Sequence, residues 1–217
     1  MKGLVIDTAL GMCTVVAFDG SQLLGVRSEL MARGHQERLG GFLRDLAETT
    51  GGFAGLDRIG VTIGPGSFTG LRVGMAFAQG LGAALDRPVV GVSTLDALAA
   101  GLEGSGPVAA LIDARRGQVY ARFWRDGDPL GPAQALSLDE ASNRLAELVD
   151  VRVVGSGASL FETHPAVASI HPADGPGPRE LATLTLGADA VDTPLHPLYL
   201  RAPDATPPGR LPGQARP

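Results

Sequence analysis

With 217 residues and 44% hydrophobic side chains, the chain is long enough for one large domain or two modest lobes, each with its own core, which excludes disorder over its whole length. Eighteen Lys and Arg against 23 Asp and Glu leave a formal charge of -5 without acidic or basic blocks, so there is no electrostatic footprint for gripping a nucleic-acid backbone unaided. Cys13 is the only cysteine, which rules out an internal disulfide and a cysteine-rich zinc site. No run approaches the roughly 20 apolar residues of a membrane span. The N-terminus leads directly into a strand-like run rather than a signal peptide, so a cytoplasmic protein without membrane contact is expected.

In chain order, Gly3 to Asp7 and Thr14 to Phe18 are short apolar runs, and Ser21 to Leu30 follows the Asp19-Gly20 turn signal; three consecutive strands are predicted. From His35, the apolar positions Leu39, Phe42, Leu43 and Leu46 recur at helical spacing until Gly51-Gly52 stops the pattern. Arg58 to Gly64 reads as a strand, and a Gly-Pro-Gly-Ser loop then opens an apolar helix running to Leu85. Arg87 to Val92 reads as a strand, and Ser93-Thr94-Leu95-Asp96 has capping-box spacing for a short helix. The first half is therefore βββαβαβα.

Beyond a Gly-rich hinge from Gly101 to Pro107 the pattern begins again. Set against residues 4–25, residues 110–131 place Ile112-Asp113 on Ile6-Asp7, Gly117 on Gly11 and Gly131 on Gly25, with Asp126-Gly127 one residue off Asp19-Gly20. A helix from Leu138 to Leu148, the strand VRVVG and a helix from Pro178 to about Ala190 continue the second half in a similar order. Duplication is the reading preferred over chance repetition of turn residues. The division is an N-terminal lobe over 1–104, a C-terminal lobe over 105–202 and a tail over 203–217, whose Pro, Gly and polar residues predict disorder.

The loop at Gly64-Pro65-Gly66 raises the question of a phosphate cradle. A Walker loop needs Gly-Lys-Ser/Thr and this stretch has no lysine; a dinucleotide fingerprint fails because the next glycine after Gly66 is Gly70. What fits is a generic helix N-terminus, with Ser67, Thr69 and Gly70 as a candidate anion or nucleotide contact and Arg72 one turn in. The competing reading is packing. Glycines at 70, 74, 80 and 82 each cost a helix up to about 1 kcal/mol relative to alanine, and close approach of another helix or another chain offsets that cost. Asp7 and Asp113 end the first strand of each half; they either face each other across a cleft as ligands for metal-bound phosphate or satisfy amides in their own turns. Position 39 is leucine, so His35 has no partner for a two-histidine helix site. No nucleophile and base are paired by the sequence, and Cys13 reads as a small buried apolar side chain.

The segments LVIDTA, GHQERL, IGPGSFTGLRVGMAFAQGL, VVGVSTLDALA, IDARRGQVYARF and PLYLR resemble the successive motifs of the TsaB, or YeaZ, family, subunits for making threonylcarbamoyladenosine in bacterial tRNA. The resemblance covers most of the chain up to Arg201. It implies the duplicated, two-lobed actin/hexokinase/Hsp70-like (ribonuclease H-like) α/β fold, with βββαβαβα in each lobe. It also implies kinship with the catalytic subunit TsaD, whose His-x-x-x-His metal pair is broken here at Leu39. On this resemblance the chain has no catalytic residues, metal or cofactor of its own. It would form a heterodimer with TsaD through its N-terminal lobe, be joined by the ATPase TsaE, meet tRNA only through the complex and support threonylcarbamoyl transfer to the adenosine adjacent to the anticodon. The expected contacts are His35, Leu39, Phe42, Leu43, Phe68, Leu71, Arg72 and Met75, on the two helices that would form a bundle with the matching pair of TsaD. The same surface is expected to pair with itself in the isolated protein. The alternative is a nucleotide-binding hydrolase or kinase of the same superfamily using Asp7 and Asp113. A peptidase, lacking any metal pair or nucleophile system, is the third reading.

Overall fold

The structure is a computed structural model and describes residues 1–31, 34–190 and 195–201, the side chains of residues 35 and 36 excepted. The expectation of a disordered tail over 203–217 lies outside the described residues. Strands β1 (Lys2–Asp7), β2 (Met12–Asp19), β3 (Gln22–Leu30), β4 (Arg58–Gly64) and β5 (Val89–Ser93) form a sheet in the order β3-β2-β1-β4-β5. The first three are antiparallel neighbours, while β4 and β5 join in parallel. Parallel neighbours need crossovers, which α1 (His35–Thr50) and α2 (Phe68–Leu85) supply. Strand alternation sends Leu4, Ile6, Val15 and Ala17 to one face, under Leu39, Phe42, Leu43 and Leu46 of α1 and Met75 and Ala78 of α2. Val5, Val16 and Phe18 face the other way.

The second sheet contains β6 (Val108–Arg115), β7 (Gln118–Arg125), β8 (Asp128–Pro129), β9 (Gln134–Ser137), β10 (Val151–Val154) and β11 (Val167–His171). Its order is β11-β10-β6-β7-β8, with β9 also pairing to β7. With β9 as third strand, β9-β7-β6-β10-β11 repeats the first order, and this is the duplicated actin/hexokinase-like fold. The copy is incomplete. Helix α4 (Leu138–Ala146) matches α1 in order, but where the first lobe has α2 the second has a single 3-10 turn, Ala158–Phe161. The expected helix order is corrected accordingly, and β8 is a strand beyond the five expected of that lobe.

Each lobe sends its last helix to the other sheet. Helix α3 (Thr94–Ala100) buries Leu95 and Leu98 against Val108, Ala110 and Ile112 of β6. Both Asp96 carboxylate oxygens accept from Arg122 on β7, at 2.6 and 2.7 Å. This explains why the capping box at Ser93 is only half formed: Ser93 Oγ accepts from the Asp96 amide, while the Asp96 carboxylate is engaged elsewhere. A complete box sits instead at Ser137 and Glu140, opening α4. Chain order puts helix α5 (Pro178–Gly187) in the second lobe, but it lies on the first sheet, with Leu181 and Ala182 among Val5, Val16, Phe18 and Val92. Arg58 on β4 donates to the carbonyls of Thr185, Leu186 and Ala188, closing the end of α5 where unpaired carbonyls favour a cation. No helix among the described residues is long and apolar enough to cross a membrane.

Candidate docking face

The first turn of α2 is built inward. Ser67 precedes it in extended conformation and its Oγ accepts from the Gly70 amide at 3.2 Å, so the cap is internal. Thr8, just past β1, donates from Oγ1 to the Gly70 carbonyl at 2.7 Å. A Cβ on Gly70 would lie 2.1 Å from the Thr8 carbonyl oxygen, and one on Gly74 2.4 Å from Thr8 Oγ1. Gly82 likewise leaves room for Val89, at 2.5 Å. These three glycines therefore let α2 approach its own sheet. The candidate anion contact loses Gly70, whose amide is taken by Ser67 and which is buried; Ser67 and Thr69 are exposed.

The opposite face of α2 is smooth and open. Phe68 (48% exposed), Thr69, Arg72, Val73, Ala76 and Phe77 border a hollow of about 560 Å³. Gly80 on this helix and Gly40 and Gly41 on neighbouring α1 have, among the described residues, no atom of another part of the chain within 4 Å of where a Cβ would stand. Of the expected contact residues, Leu39, Phe42, Leu43, Leu71 and Met75 are 0–7% exposed. Their side chains are consumed by the lobe core, which corrects their assignment to a partner. Phe68 and Arg72 remain on the surface, and the side chain of His35 lies outside the described residues. Sequence reasoning passed over Ala76 and Gly40 and Gly41. The signal was available in the spacing of 70, 74 and 82, which marks the inner face of α2 and leaves 69, 72, 76, 80 and 83 outward.

Between the lobes lies a cleft of about 480 Å³ whose walls include Ser67, Asp113, Arg115, Tyr120, Asp174 and Arg201. Asp113 already pairs with Arg115 at 3.1 Å and accepts from the Arg115 amide at 2.8 Å. Asp7 is fully buried, its Oδ1 accepting from the Ala9 amide at 3.0 Å and from Thr62 Oγ1 at 2.7 Å. Each aspartate thus satisfies an amide in its own turn. Among the described residues, no group of three or more His, Cys, Asp and Glu is placed to hold a metal ion.

Asp7 Oδ2 has no partner among the described residues, and burial pushes the carboxyl from its ordinary 3.8 up to about 6, outweighing the bonds from Ala9 and Thr62. The folded state then holds this proton more tightly than the unfolded chain. Its stabilising contribution is full below about pH 4 and is lost as pH rises to about 6, on the order of 3 kcal/mol in all. In urea titrations from pH 4 to 7, Asp7→Asn is expected to flatten this decline relative to wild type; parallel curves would contradict the assignment. The buried Cys13 thiol is pushed up to about 11 by burial and the nearby Asp7 charge, which leaves it a packing residue.

Residues 19–157 match the family model described as TsaD: tRNA N6-adenosine threonylcarbamoyltransferase. A protein of Mycobacterium leprae, itself described as uncharacterized, is 39% identical over 212 residues, covering 94% of this chain and 56% of that protein. The tRNA threonylcarbamoyladenosine biosynthesis protein TsaB of Escherichia coli is 39% identical over 132 residues, covering 58% of this chain and 56% of its own length. The chain thus spans about half the length of the Mycobacterium leprae relative, and the stretch matched in the Escherichia coli protein is about half of each chain. The solved structure of YeaZ from Pseudomonas aeruginosa superposes with a TM-score of 0.76 at 28% identity, covering 92% of this chain and 99% of that one.

Proposed function

The chain belongs to the TsaD family, that of tRNA N6-adenosine threonylcarbamoyltransferase, and from that premise we propose that it is a noncatalytic subunit that dimerises with TsaD. In that role it supports transfer of the threonylcarbamoyl group to the adenosine adjacent to the tRNA anticodon, in the cytoplasm. The observation that carries the docking half of this reading is the trio Gly40, Gly41 and Gly80. Each weakens its helix by up to about 1 kcal/mol, and nothing among the described residues comes near enough to offset that. Close approach by helices of another chain supplies the missing compensation. Phe68, Val73, Ala76 and Phe77 border an open hollow on α2 and supply apolar area for the same contact.

The positions read as candidates for chemistry agree with the same reading. Leu39 stands where a second histidine would complete a metal pair, and it is fully buried in the core. The acidic net charge agrees with contact to tRNA only through the complex. TsaE joins as the ATPase, and the same face pairs with itself when TsaD is absent. A hydrolase or kinase using Asp7 and Asp113 fits less well, because one is buried and the other is engaged by Arg115. Depleting the protein from its host is expected to lower threonylcarbamoyladenosine in total tRNA, read by nucleoside mass spectrometry. An unchanged level would reject the role.

A further inference from the structure

The segment from Leu195 to Arg201 touches three parts of the molecule in succession. Leu195 packs against the core of the first lobe, 3.4 Å from where Gly91 would carry a Cβ. The Leu198 amide then donates to the Ile63 carbonyl at the end of β4, at 2.7 Å. Tyr199 stacks on Phe68, with ring centroids 5.3 Å apart, and its Oη accepts from Arg72 Nε at 3.1 Å. The Arg72 guanidinium in turn lies over the Phe68 ring, 3.8 Å from its centre. Arg201 crosses to the second lobe and donates to the Ala114 carbonyl at 3.1 Å and to Gln118 Oε1 at 3.3 Å. Phe68 and Arg201 both line the cleft between the lobes, and Phe68 and Arg72 also border the hollow on α2.

Phe68 and Tyr199 are each more than two-fifths exposed. Side chains so exposed ordinarily sample several rotamers, and fixing them before a partner arrives removes part of the entropy cost of docking. Here the fixing depends on where the 195–201 segment sits, which depends in turn on Arg201 reaching the second lobe. We propose that residues 195–201 form a latch between the lobes, with Arg201 and Tyr199 as positioning residues. Arg201 holds the segment to the second lobe, and Tyr199 sets Phe68 and Arg72 at the edge of the docking face, so that release of the latch weakens partner binding. The last step rests on the docking reading above; the latch itself does not.

The test combines hydrogen exchange of the full chain with its affinity for TsaD. Arg201→Gln is expected to speed exchange of the Leu198 amide about tenfold, as a local opening without global unfolding. The same variant, and Tyr199→Ala, are expected to weaken TsaD binding about tenfold, whereas Tyr199→Phe, which keeps the ring stack, retains most of the affinity. Unchanged exchange at Leu198 in Arg201→Gln would overturn the latch. Unchanged affinity in Arg201→Gln and Tyr199→Ala, while Ala76→Arg on the open face loses it, would overturn the coupling. Full affinity in Ala76→Arg would instead reject the docking face, and the coupling with it, with exchange at Leu198 still deciding the latch.

Discussion

Gly70→Ala is expected to lose roughly 3 kcal/mol of stability, the upper end of what overpacking costs. The added methyl would stand 2.1 Å from the Thr8 carbonyl oxygen, and that atom is backbone, so it cannot turn aside as a side chain would. Moving it would disturb the turn that follows β1, where Asp7 accepts from the Ala9 amide and Thr8 bonds to the Gly70 carbonyl. Gly80→Ala, ten residues further along the same helix, meets nothing within 4 Å among the described residues and is expected to gain up to about 1 kcal/mol from helix propensity. Urea midpoints at constant slope measure both. Equal shifts in the two variants would show that these glycines do not divide into an inner and an outer set.

Ala76→Arg is expected to weaken TsaD binding about a hundredfold while leaving the fold intact. Residue 76 is exposed, so the substitution should change stability by no more than about 0.5 kcal/mol. Beside half-buried Val73 and Phe77, the long charged side chain would hold an approaching helix away and leave its charge poorly solvated. Met75 next to it is a poor place for the same experiment. It is 4% exposed within the lobe core, and an arginine there would unfold the protein and lose binding for an uninformative reason. Titration calorimetry with circular dichroism separates the two effects, and wild-type affinity in a folded Ala76→Arg protein would contradict the docking face.

The strands of the first lobe were legible in the sequence because alternation and turn chemistry act locally: the Asp19-Gly20 turn and the short apolar runs define the ends of β1 to β3 to within two residues. The exchange of α3 and α5 between lobes was not. An amphipathic helix specifies which of its faces is buried, and nothing in its period says which sheet will cover it. Arg58 and Arg122, which pin these helices from the sheets beneath, are distant in sequence from the groups they hold. The proposed docking residues were half legible for a related reason. Large apolar side chains such as Leu39, Phe42 and Met75 serve a core as readily as an interface, and here the core took them. The outward positions 69, 76, 80 and 83 of α2 are small residues, so hydrophobicity concealed them, and the spacing of the inward glycines 70, 74 and 82, which marks the other face, was not separated from Gly80.

Reconstitution of tRNA modification with TsaD, TsaE and threonylcarbamoyl-adenylate, with this protein present, omitted or carrying Ala76→Arg, tests the subunit role most directly. Modification is expected to require the protein and to fail with the folded arginine variant, which also stops co-eluting with TsaD. Modification that proceeds equally well without the protein would contradict that role.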